Sequence, residues 1–84
     1  MDILQKAHAI VNGARQQDYG DPTGSFKQVA TIASILMQKE ITAQECCKVM
    51  IAVKLARESF KHQEDHLVDL CGYAELLNRI ENDT

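Results

Sequence analysis

Residues 42–77 read TAQECCKVMIAVKLARESFKHQEDHLVDLCGYAELL, and this stretch decides the fold. It opens on Thr42-Ala43-Gln44-Glu45, a pattern in which the threonine side chain and the glutamate three residues on satisfy each other's backbone N–H groups. A helix therefore starts at Ala43, and the helical period carries it to about Lys61. After a short connection through His62, Gln63 and Glu64, a further helix runs from about Asp65 to Glu81. Neither helix is limited to one apolar stripe. On the first, Cys46, Val49, Met50, Val53 and Phe60 share a face, while Ile51 and Leu55 lie well off it. On the second, Leu67, Leu70, Cys71, Ala74 and Leu77 share a face, with Val68, Tyr73 and Leu76 outside it. A helix apolar on several sides is buried on several sides. The antiparallel hairpin of these two helices is expected at the centre of the fold, at a subunit interface, or both.

Upstream the pattern stays helical. A first helix is expected from Asp2, placed as an N-cap or a favourable dipole charge, to about Gln16, with Ile3, Leu4, Ala7, Ile10, Val11 and Ala14 on one stripe and Gly13 weakening its last turn. The loop Asp18-Tyr19-Gly20-Asp21-Pro22 follows. Asp21 as cap and Pro22 as first helical residue begin a second helix to about Lys39, although Ser25 with Gln28 offers a start one turn later. Phe26, Val29, Ala30, Ile32, Ala33, Leu36 and Met37 are its apolar residues. No stretch alternates with the period of a strand. Connections this short favour antiparallel neighbours, so residues 1–84 are expected to form a single all-α domain, a small four-helix bundle.

Composition narrows the classes of partner. A net charge of −3 argues against long nucleic acid, which selects a basic excess. No apolar run reaches the ~18 residues that span a membrane, and Met1–Asp2 opens an amphipathic segment unlike a signal peptide. Three cysteines, Cys46, Cys47 and Cys71, make a poor disulfide framework and lack zinc spacing, so reduced structural thiols in the cytoplasm are expected. At 84 residues only a little over 60% of the chain's surface is buried on folding. Homo-oligomerisation is the expected remedy.

Polar residues within the two apolar helices are the candidates for chemistry. Lys54 and Arg57 lie three apart on helix 3, with Lys61 one turn on. Asp65 and Asp69 lie four apart on helix 4, followed by Tyr73. The hairpin brings the two stripes near one another. They either form an internal ion-pair network, or leave Lys54 and Arg57 facing a phosphate-bearing ligand while Asp65 or Asp69 orients them; a point charge and a planar fork suit phosphate. Two carboxylates on one helix are too few for a magnesium phosphohydrolase. Tyr19-Gly20-Asp21-Pro22 is the other distinctive string, read as a helix–helix turn or as a ligand loop with Tyr19 and Asp21. Gly20 there admits a close backbone approach. His8, His62 and His66 read as surface residues.

From Arg15-Gln16-Gln17-Asp18-Tyr19-Gly20-Asp21-Pro22, through Phe26, Ile41-Thr42 and Lys54-Leu55-Ala56-Arg57, to Asp65-His66-Leu67-Val68-Asp69-Leu70-Cys71-Gly72-Tyr73-Ala74, the chain resembles a family of small phage and prophage proteins. The resemblance covers about Ile3 to Leu77 and implies a phage origin and an all-α fold. More distantly the chain is similar to domains associated with phage nucleotide modification and to MazG-type nucleotide pyrophosphohydrolases. Those hydrolases carry a Glu-Glu-x-x-Glu motif that has no counterpart here, and only Asp65 and Asp69 match their acidic pair. Where the phage family usually has an acidic residue, this chain has Gly24. The expectation is an accessory protein that binds a nucleotide or other phosphate-bearing small molecule without transforming it. Its ligand residues would be Tyr19, Asp21, Lys54, Arg57, Asp65, Asp69 and Tyr73, with no catalytic or metal-ligating residue and no cofactor. The alternatives are a magnesium-dependent MazG-like hydrolase and a non-catalytic module that modulates a host factor.

Overall fold

Two of the helices begin on reciprocal caps that the sequence spells out. In the computed structural model, which describes residues 1–13 and 22–83, Asp2 Oδ1 accepts from the Gln5 N–H at 2.8 Å and Gln5 Oε1 accepts from the Asp2 N–H at 3.0 Å. This pair starts α1, Ile3–Asn12. Thr42 Oγ1 and Glu45 exchange the same two bonds at 3.1 and 3.0 Å and start α3, Ala43–Phe60. Between them lies α2, Pro22–Met37, and the chain closes with α4, Glu64–Asp83. All four helices among the described residues agree in order with the expected bundle.

Two helix ends fall short of their apolar patterns. α1 was expected to reach Gln16, yet it stops at Asn12, with Gly13 at φ −113°, ψ −113°. A Cβ at Gly13 would lie 2.6 Å from the Ala9 carbonyl oxygen, so the chain leaves the helix through the one residue that fits. Residues 14–21, including Tyr19 and Asp21, lie outside the described residues. α2 stops at Met37 instead of Lys39 because Gln38 turns left-handed, at φ 56°. That turn lets the Lys39 N–H reach back to the Ser34 carbonyl at 3.3 Å, closing the last turn. The Ser34 hydroxyl shares its hydrogen between the carbonyls of Ala30 and Ile41, at 2.7 and 3.1 Å, and accepts from the Ile41 N–H at 2.9 Å. One side chain thus ties the end of α2 to the entry of α3.

The α3–α4 hairpin is central, as expected, and α4 touches all three other helices. The core comprises Val11, Ala30, Ala43, Cys46, Cys47, Leu76 and Ile80, with Phe26, Ala33, Ile41, Tyr73 and Leu77 packed around it. The faces that do this packing differ from those the pattern suggested. On α3 the buried side is Ala43, Cys46 and Cys47, while Val49 and Phe60 point to solvent. On α4 the buried line is Val68, Gly72, Leu76 and Ile80, four apart in register, and Ala74 is exposed. On α4, α1 lies against the helix and adds a second packed side. A Cβ at Gly72 would stand 3.2 Å from Val11 Cγ2, so the absent side chain sets how closely α1 seats. Polar groups then clasp α1 to α4. His8 Nδ1 lies 3.1 Å from Glu75 Oε1, Arg79 donates to Asn12 at 2.6 Å and to Glu75 at 2.7 Å, and Lys6 pairs with Glu64.

Cys46 and Cys47 are buried free thiols, whereas Cys71 is partly exposed. The Cys47 Sγ–H donates to the Tyr73 carbonyl at 3.1 Å. No helix among the described residues is long and apolar enough to cross a membrane.

Candidate functional site

Among the described residues, the basic and acidic stripes of the hairpin meet where Lys54 pairs with Asp69. Lys54 Nζ lies 2.8 Å from Asp69 Oδ2, and their side chains are 13% and 16% exposed. Buried to that degree, each charge compensates the other, which is the internal ion pair anticipated as one reading of these residues. Tyr73, one turn beyond Asp69, sets its ring edge-on to Phe26, at 6.0 Å between centroids and 83° between planes. Asp69 and Tyr73 line a cavity between α1 and α4 of only about 20 Å³. A ligand pocket needs roughly 300–1,000 Å³, so a nucleotide does not fit there.

Arg57 goes elsewhere. The residue lies three positions after Lys54, nearly a turn closer to the end of the helix, and it is exposed. With Ala56, Phe60, Lys61, Gln63 and His66 it lines a depression of about 410 Å³ at the turn of the hairpin. Among the described residues no carboxylate pairs with Arg57 or Lys61. Phe60, 92% exposed, offers a bare aromatic face between two cations. Gln63 supplies an amide. His66 was expected at the surface but is largely enclosed, with Nδ1 3.4 Å from Glu58 Oε1 and without a hydrogen bond. Asp65 is exposed in the first turn of α4 and does not join this lining. Of the seven residues proposed from sequence, then, Lys54 and Asp69 are brought together, Arg57 faces a pocket, Asp65 and Tyr73 lie apart from it, and Tyr19 and Asp21 are outside the described residues.

Phe60, Gln63 and His66 were not anticipated as lining residues. The legible signal for Phe60 was its position between Arg57 and Lys61, three residues after one and immediately before the other. The spacing of three places the aromatic on the same side of the last helical turn as Arg57.

Two other depressions are chemically different. One of about 620 Å³ near the N-terminus is lined by Asp2, Glu64 and Lys6 among others; its lysine is paired with Glu64. Another of about 480 Å³ includes His8, Cys71 and Glu75. Neither concentrates positive charge. Nor does the donor set of the hairpin suit magnesium: Asp69 is held by Lys54, Asp65 is a turn away, and no three His, Cys, Asp or Glu side chains gather among the described residues.

Among the described residues, four glutamates are held below the ordinary carboxylate value by their partners. The side-chain hydrogen bond from His62 holds Glu58 below the ordinary carboxylate value of 4.5. The backbone and hydroxyl of Thr42 do so for Glu45, and the Lys6 ammonium for Glu64. At Glu75 burial pushes upward, but the hydrogen bond and charge of Arg79 outweigh it. A carboxyl whose value is depressed by folding stabilises the folded state above its unfolded value, and that contribution is lost as pH falls through the folded value. The melting temperature, followed by circular dichroism, is therefore expected to hold near neutrality and to drop as pH falls below 4.5. A melting temperature indifferent to acid would show these contacts to be absent in solution.

The described residues form a small all-α fold with a central hairpin, an internal ion pair and a cationic, aromatic depression at the hairpin turn. The chain belongs to the family described as Domain of unknown function (DUF6378), which matches residues 2–81. It is 38% identical over 84 residues to the Gene 55 protein of Mycobacterium phage L5, covering 96% of this chain and 53% of that protein. To the Gene 55 protein of Mycobacterium phage D29 it is 34% identical over 79 residues, covering 93% of this chain and 52% of that one. The chain thus spans about half the length of these curated relatives. Their origin agrees with the resemblance to phage proteins. No solved structure matches the chain.

Proposed function

We propose that the protein binds a nucleotide or other phosphate-bearing small molecule, without transforming it, in the depression at the turn of the α3–α4 hairpin. In this reading it is a phage accessory factor in the host cytoplasm, serving nucleotide metabolism or the evasion of host nucleotide signalling. The observation that carries the proposal is the grouping of Arg57, Lys61, Gln63 and His66 around an exposed Phe60 in a space of about 410 Å³. Cations without a carboxylate partner attract phosphate, and an exposed aromatic face stacks a base. The reading includes self-association, because four of the seven residues in the core cluster are alanine or cysteine, a small core for one chain.

A charge-assisted hydrogen bond to phosphate contributes roughly 1.5–3 kcal/mol. Arg57→Ala is therefore expected to weaken binding by about tenfold or more while the helical circular dichroism spectrum stays unchanged, Arg57 being exposed. Calorimetric titration against mono-, di-, tri- and cyclic nucleotides checks this. If none of them binds the wild-type protein, the proposal fails. The exposed Phe60 and Val49 also suit a module that docks on a host factor. In that case binding to a host protein would be lost in Phe60→Ala with no nucleotide bound at all.

A further inference from the structure

His66 differs from the other residues around the hairpin depression because it is not exposed. Its Nδ1 is buried without a hydrogen bond and faces Glu58 Oε1 at 3.4 Å. Glu58 is fixed from two further sides. His62 Nδ1 pairs with its Oε2, and the Gln63 N–H donates to its Oε1 at 3.1 Å. The hydrogen bond from His62 holds the Glu58 carboxyl below the ordinary value, so at neutral pH it is ionised and only accepts. A lone pair on His66 Nδ1 would oppose the lone pairs of that carboxylate and leave a buried nitrogen unsatisfied. A hydrogen on Nδ1 removes both costs, and 3.4 Å is within a few tenths of an ångström of a hydrogen bond. In a neutral imidazole this assignment makes Nε2 the acceptor. Nε2 lies across the ring from Nδ1, and the ring lines the depression with Arg57, Phe60, Lys61 and Gln63.

We propose that Glu58 fixes His66 as its Nδ1–H tautomer, so that Nε2 accepts a hydrogen bond from the molecule bound in the depression. The inference rests on the phosphate-binding reading of this site and names what else the ligand carries. Arg57 and Lys61 only donate, and the Gln63 amide does both. In the fixed tautomer Nε2 only accepts, so it selects a donor. Sulfate, which is all acceptors, satisfies the two cations and leaves Nε2 without a partner. A nucleotide satisfies both, with its phosphate on Arg57 and Lys61 and a sugar hydroxyl or a base N–H on Nε2. The same nucleotide has a base to lay on the exposed ring of Phe60, as base–aromatic stacking requires. Glu58 does not line the depression. It is a positioning residue, acting on the ligand through the imidazole, as carboxylates that set a histidine tautomer do.

Proton–nitrogen correlation spectra of the imidazole rings test the tautomer directly. They are recorded at pH 8, above the range in which imidazoles gain a proton, and the His66 signals are assigned by their loss in His66→Phe. The hydrogen is expected on Nδ1 in the wild type, and that preference is expected to be lost in Glu58→Ala. Amide chemical shifts followed on titration with sulfate and with adenosine, guanosine, cytidine and uridine 5′-monophosphates test the ligand. His66→Phe is expected to weaken nucleotide binding about three- to tenfold, the loss of one hydrogen bond, and to leave sulfate binding unchanged. A wild-type hydrogen on Nε2 overturns the inference whatever binds. Nucleotide binding indifferent to His66→Phe, or sulfate binding with no nucleotide bound, overturns it and leaves the phosphate site standing. If neither sulfate nor any monophosphate binds the wild type, the reading of the depression falls and this inference with it.

Discussion

Ile80→Ala is expected to lower the stability of the domain by about 3–4 kcal/mol, the cost of emptying a well-packed branched side chain from a core. Ile80 is 1% exposed, and with Cys47 it is the largest fully buried side chain. It sits in the last turns of α4, in one cluster with Leu76 and Cys47, so its loss loosens the helix that every other helix packs on. Small domains are stable by only about 5–15 kcal/mol in total, and each kcal/mol moves the melting temperature of a domain this size by roughly 4–8 °C. The melting temperature should therefore fall by about 12 °C or more, read by circular dichroism. A fall of only a few degrees would mean that the end of α4 is not seated against α3 as described.

Lys54→Met is expected to cost about 3 kcal/mol, since it leaves the largely buried Asp69 carboxylate without its ammonium partner. An exposed pair would be worth roughly 0–1 kcal/mol, but side chains 13% and 16% exposed are not in that regime. The double variant Lys54→Met/Asp69→Leu should recover much of the loss, because an apolar pair of similar volume no longer has a charge to compensate. Urea denaturation of the wild type, the two single variants and the double variant gives the coupling directly. Additive losses would show that the two side chains do not depend on each other. The same Lys54→Met protein also separates the two polar groups of the hairpin. Its nucleotide affinity should match wild type if the ligand sits at Arg57, and collapse if Lys54 itself holds phosphate.

Helix starts were legible because they are local. Thr42 with Glu45 and Asp2 at the head of α1 needed no knowledge of the rest of the chain, and both caps formed as read. The buried faces of α3 and α4 were not legible in the same way. With Val49, Ile51, Val53 and Leu55 spread around one helix, the apolar pattern has no unique direction. On α4 the buried line Val68, Gly72, Leu76 and Ile80 includes the glycine on which α1 seats. The candidate site was half legible for a related reason. That Lys54 and Arg57 share a helix face followed from their spacing, but Arg57 stands nearly a turn closer to the end of α3, where it lines the depression at the hairpin turn while Lys54 meets Asp69. The enclosure of His66 depends on how the turn from Lys61 to Gln63 folds over Glu58, which no helical period encodes.

The buried thiol of Cys47 has a further use. Burial pushes its pKa up to about 11, so at neutral pH only about one molecule in ten thousand carries the reactive thiolate, even before access is considered. Its Sγ donates to the Tyr73 carbonyl on the facing helix, which puts it on the seam of the α3–α4 hairpin. Alkylation at this position has to wait for the seam to part, whereas the partly exposed Cys71 is open to reagent in the closed molecule. Counted one adduct at a time by mass spectrometry, the delay between the two reactions is a clock for how often the hairpin opens, built into the chain without any label.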